Sequence, residues 1–191
     1  EYWIWLGSIF SAIEPIPFIM LIAFAFKTLF QRRREHPNKA AMLWAMGTPI
    51  VAFLGAGLWG FMHTLSAVNY YTHGTQITVA HAMGATIGIN SLLLMGSVTF
   101  IFEKQLKTNL NRTILLGLRV IHISLLFFWF SLIGSGIMRA IALYQHNYFV
   151  QVSERMLPYL QLFSMSGIFL ALGIGVVSAT YIKVILSKVQ E

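Results

Sequence analysis

The stretch Asn69-Tyr-Tyr-Thr-His-Gly-Thr-Gln-Ile-Thr-Val-Ala-His81-Ala-Met83-Gly84 decides how the chain is read. It opens with polar residues, expected as a short loop, and runs without a break into an apolar segment that ends near Phe102. His81 therefore falls about one helical turn inside a membrane span, where an ionisable side chain is costly and marks a candidate functional site. Met83 follows two positions later. An offset of two turns a side chain by roughly 200° around an α-helix, so His81 and Met83 leave the helix on opposite flanks. Both residue types ligate haem iron, and one helix could serve a different haem on each side. The same two residues also suit a histidine hydrogen-bonded between helices and a methionine filling a gap. Taken alone, the residues leave both readings open.

Composition makes the surrounding class plain. The 191 residues are 57% hydrophobic and 10% charged, with a mean hydropathy of +0.72. Such a chain is a polytopic membrane protein rather than a soluble one. Cysteine is absent, which excludes disulfides, thiolate metal sites and cysteine nucleophiles. A net charge of +7 invites comparison with nucleic-acid binders, but its placement argues otherwise. Lys27, Arg32, Arg33, Arg34 and Lys39 share one inter-span turn. Lys104, Lys107, Arg112 and Arg119 lie in or beside another, and Lys183 and Lys188 close the chain. Arg139 and Arg155 alone fall on the other side. That is the positive-inside pattern, and no nucleic-acid partner is expected.

The fold class expected is all-α: one membrane domain, 1–191, of five transmembrane helices at roughly 4–26, 42–65, 77–102, 113–144 and 157–186. The last two exceed the roughly 20 residues a bilayer needs and would tilt or project. The charge bias puts the start of the first span outside, His81 near the outer face, and the C-terminus in the cytoplasm. An odd number of spans entered from outside, with no initiating Met before Glu1 and no signal-peptide pattern, fits the latter part of a larger protein or a split subunit. Glu14 is the one acid set deep in a span, within Ser11-Ala-Ile-Glu14-Pro-Ile-Pro17. Pro15 and Pro17 remove backbone donors, free carbonyls one turn back and predict a kink. Glu14 there is either a proton-passing group or a neutral hydrogen-bonded one. Among the other histidines, His36 reads as solvated, His63 as a hydrogen-bonded interface residue and His122 as structural. Trp59 reads as an interfacial belt residue. Gly84 and Gly88 serve either helix packing or clearance for a haem edge.

Five runs now carry a resemblance. They are Glu1-Tyr-Trp-Ile-Trp-Leu-Gly7, Ser11-Ala-Ile-Glu14-Pro-Ile-Pro17, the basic run from Arg32 to Ala45, Phe53-Leu-Gly-Ala-Gly-Leu-Trp-Gly-Phe-Met-His-Thr-Leu65, and Val68-Asn-Tyr-Tyr-Thr-His-Gly-Thr-Gln76 with Ala80-His81. Together they resemble the large (cytochrome b) subunit of bacterial nitric oxide reductase, a branch of the haem-copper oxidase superfamily. The likeness is closest over 1–82 and weakens from Met83 onward.

The resemblance implies helices eight to twelve of a twelve-helix fold in the bacterial inner membrane. It implies an oxidoreductase that reduces nitric oxide to nitrous oxide at a haem/non-haem iron centre. His81 matches the ligand of a high-spin haem b, and Glu14 the glutamate beside that centre, with a proton-handling role. Position 83 matches the ligand of a second, low-spin haem b and is normally histidine; Met83 departs from that pattern. The non-haem iron ligands belong to earlier helices, so an N-terminal part or partner chain would carry them. A cytochrome c subunit or a quinol would donate electrons, and lipid would surround the whole. A diverged oxygen-reducing relative, or a non-catalytic membrane subunit that has lost one or both haems, are the alternatives.

Overall fold

The computed structural model describes residues 2–33, 38–102, 108–146 and 149–189. All regular structure among them is helical, and five stretches are long and apolar enough to cross a membrane: Trp5–Phe30, Lys39–Thr64, Gln76–Ile101, Asn111–Tyr144 and Val150–Ser187. The cations Arg34, Lys104 and Lys107, together with His36, lie outside the described residues. The expected starts of the second and fifth spans come later than the observed ones. Hydropathy begins counting at the first apolar run, whereas the helices begin on polar residues. Asn38 caps the second span by accepting from the Ala41 N–H at 2.9 Å, and the fifth includes the polar turn Gln151 to Arg155.

Each of the first three spans departs from a plain α-helix, the first at Pro15 and the next two through π-helical turns. The first is two helices, Tyr2–Ile13 and Pro15–Phe30, meeting at Glu14. Pro15 has no N–H to give the Ser11 carbonyl, and the Glu14 N–H takes that carbonyl instead at 3.3 Å. The second runs as helix Lys39–Ala52, a π-helical turn Phe53–Gly57 and helix Leu58–Thr64. The third repeats the device: helix Gln76–Ala85, a π-helical segment Thr86–Ser91 and helix Leu92–Ile101. The fourth and fifth are continuous, within helices Thr108–Tyr144 and Phe149–Val189.

The stretch 69–76 is not the plain loop expected. Ser66–Thr72 is a short helix, followed by a turn in which Gly74 adopts φ +73°, a left-handed conformation open to glycine. The Thr72 carbonyl then accepts from the Thr75 hydroxyl at 2.6 Å and the Thr78 hydroxyl at 3.3 Å. Thr75 in turn caps the third span by accepting from the Ile77 N–H. These bonds fix the helix entry point, and with it the height of His81.

Spans two to five form the core, centred on Trp44, Leu92, Ile121 and Val177. Glycines let the backbones close in: a methyl on Gly84 would lie 2.7 Å from the Gly55 Cα and from the Ala56 nitrogen. Gly88 instead makes room for a side chain: an added methyl would lie 2.8 Å from the Val51 Cγ1. Gly84 and Gly88 are therefore spent on helix packing. Trp59, expected in the interfacial belt, instead packs against the core. The first span stands apart, with none of its apolar window buried.

Candidate functional site

His81 lies five residues into the third span, roughly 7.5 Å along the helix from its start. Its Nδ1 is 2.9 Å from the Ala56 carbonyl, which belongs to the π-helical turn of the second span. A carbonyl only accepts, so Nδ1 carries the proton and Nε2 keeps a free lone pair. That is the arrangement of a metal-ligating imidazole whose other nitrogen is held by a backbone carbonyl. The π turn of the second span, which no feature of the sequence announces, thus has a use here. A widened turn frees a carbonyl, and such turns gather at functional sites.

The imidazole opens onto a cleft of about 590 Å³ between the first, second and third spans, within the size range of small-molecule and cofactor pockets. Its lining includes Ser8, Ser11, Glu14, Gly57, Gly60 and His63. Gly60 sits directly against the ring, where an added methyl would come 2.9 Å from the His81 Cε1. Glu14 reaches the same cleft from the junction of the two halves of the first span, and it is exposed there. The structure thus brings Glu14 and His81, both singled out by sequence, to one cavity. Met83 is not among the cleft's lining residues; it is half-buried against the core.

His63 is the residue that the sequence alone undervalues. Its ring stands edge-on to His81, with centroids 5.9 Å apart and planes at 81°. It lines the cleft, and its Nε2 is buried with no hydrogen-bond partner. The available signal was its place near the outer end of a span, level with His81, but distance in sequence hid the pairing. His122 behaves as expected of a structural residue: Nδ1 bonds the Leu118 carbonyl at 2.8 Å, and the ring packs on Trp44 and over Gly47. Among the described residues no group of three or more His, Cys, Asp or Glu gathers to hold a metal ion. A cofactor needing a single nitrogen ligand from this cleft could be held by His81.

A helical membrane bundle here places a carbonyl-bonded histidine and a carboxyl on the same cleft. Residues 1–169 match the family described as cytochrome c and quinol oxidase polypeptide I, and the chain belongs to that family. It is a membrane subunit of the haem-copper oxidase type, and its five-helix bundle is the fold expected of one. Over 98 residues it is 57% identical to a nitric oxide reductase subunit of Stutzerimonas stutzeri, a match covering 51% of this chain and 21% of that protein. The chain is a relative of that large subunit, and the match spans about a fifth of the relative's length.

Proposed function

We propose that this chain forms part of the catalytic subunit of a membrane nitric oxide reductase. In that reading two nitric oxide molecules, two electrons and two protons give nitrous oxide and water. The observation that supports it best is the orientation of His81: Nδ1 is committed to Ala56, leaving Nε2 free on a cleft that also holds Glu14. His81 would hold a high-spin haem b, which when bound would supply the iron that binds nitric oxide. Gly57 and Gly60 leave room beside the ring, and Glu14 holds or passes protons at the cleft wall. Met83, on the opposite flank, is the candidate ligand for a low-spin haem b. Residues outside this chain would hold the non-haem iron, and a cytochrome c subunit or a quinol would supply electrons. The bacterial inner membrane, with the C-terminus in the cytoplasm, is the location this reading requires.

Two substitutions test it in the assembled enzyme. His81→Ala leaves no donor atom on the cleft side of the helix, so the high-spin haem signature and turnover should both be lost. An unchanged optical spectrum would refute the ligand assignment. Glu14→Gln preserves size and hydrogen bonding but releases no proton. Haem content should persist while turnover falls by about 10²–10⁴-fold. Normal turnover in Glu14→Gln, with only Glu14→Ala impaired, would reduce Glu14 to a structural residue.

A further inference from the structure

A second groove lies away from the His81 cleft, at the end of the bundle that carries the Gly74 turn. Spans four and five leave about 370 Å³ between them there. Its walls are apolar, formed by Ala142, Val152, Met156 and Leu160, and Arg139 and Gln76 contribute polar groups. Ala142, Val152 and Met156 also form a small core of their own, so the groove floor is packed and shaped.

Arg139 has no structural employment. It lies five residues before the end of its span, roughly 7.5 Å inside it. It is exposed, and among the described residues it makes no hydrogen bond or ion pair. A guanidinium at that depth draws an anion to itself or snorkels to the interface. Gln76 and Ser153 also line the groove, though the Gln76 Oε1 is itself buried. The site therefore asks for an anion and a long apolar body in one molecule. Free phosphate would leave the apolar walls uncovered, and a soluble peptide would not reach this depth.

We propose that this groove binds a phosphatidylglycerol-type phospholipid. Its phosphate accepts from Arg139, its headgroup lies beside Gln76, and one acyl chain runs past Met156 towards Leu160. Leu160 lies ten residues beyond Val150, so the chain would descend roughly 15 Å along the fifth span. The proposal is independent of any haem.

Native mass spectrometry of the full chain in mild detergent, titrated with dioleoyl-phosphatidylglycerol, tests it. Wild type should bind one lipid preferentially over phosphatidylcholine, whose choline cation cancels the phosphate charge that Arg139 attracts. Arg139→Gln should weaken that binding roughly tenfold, the size of a lost hydrogen bond to a charged group. Arg139→Lys should retain most of it. Leu160→Trp fills the groove with the arginine intact and should weaken binding too, which keeps the test valid if Arg139→Gln misfolds. Arg155→Gln, a cation at the same end but off the groove, should change nothing. Equal binding by wild type and Leu160→Trp, or an equal loss in Arg155→Gln, would overturn the site. So would indifference between the two lipids.

Discussion

At the scale of single residues, the contact between Gly60 and His81 limits the candidate site more than any charge does. The ring is held between the Ala56 carbonyl and the Gly60 backbone, with His63 at its edge. Gly60→Ala adds a methyl 2.9 Å from Cε1, and a closely packed neighbour gives way only at a cost of about 1–3 kcal/mol. On the proposal that His81 holds a haem, the expected result is a bundle of normal helicity with reduced haem content or a shifted haem band. Gly175→Ala is the control, since nothing lies within 4 Å of its added methyl, and it should match wild type. Haem-to-protein ratios and visible spectra of the two variants check this; indistinguishable spectra would free the ring from that restraint. Sequence reached His81 because an imidazole inside an apolar run is conspicuous, and Glu14 because it is a carboxyl among prolines. It missed His63, whose significance lies wholly in a neighbour on another helix.

Among the elements, the π turns separate what the sequence discloses from what it hides. Hydropathy locates the spans, because about 20 apolar residues are needed to cross a bilayer whatever their order. It says nothing of a single extra residue in a turn, which leaves composition unchanged while re-aiming a side chain and a carbonyl. Here the Phe53–Gly57 turn and the glycines within it let Gly55 meet Gly84 backbone to backbone. The spacing of Gly84 and Gly88 left packing and cofactor clearance equally open, and only the partner helix decided between them. Lipid tails compete for apolar surface, so packing of this kind carries much of helix association in membranes. Gly84→Ala would set a methyl 2.7 Å from backbone atoms that cannot rotate away. We predict a loss of about 1–3 kcal/mol, read as a lower thermal unfolding temperature in detergent, with His81 losing its acceptor as the helices part. A wild-type melting temperature would show that this contact has slack.

For the whole molecule, the placement of charge is what predicts an orientation in the membrane. Helix order alone sets Arg32, Arg33, Arg112 and Arg119 at one end and Arg139 and Arg155 at the other. On the positive-inside rule the first end is predicted to face the cytoplasm. The first span, with none of its apolar window buried, faces lipid or further helices, consistent with a chain matching only a fifth of its relative. Since the chain contains no cysteine, a single introduced thiol reports without background. Thr72, the natural choice within the outer turn, is 7% exposed and donates its hydroxyl to the Val68 carbonyl, so it would label poorly on either side. Tyr70, 80% exposed two residues earlier, is the better reporter. In intact spheroplasts an impermeant maleimide should label Tyr70→Cys at once and Arg33→Cys only after lysis. The reverse order would invert the bundle, place His81 near the cytoplasmic face and remove the charge argument for its orientation.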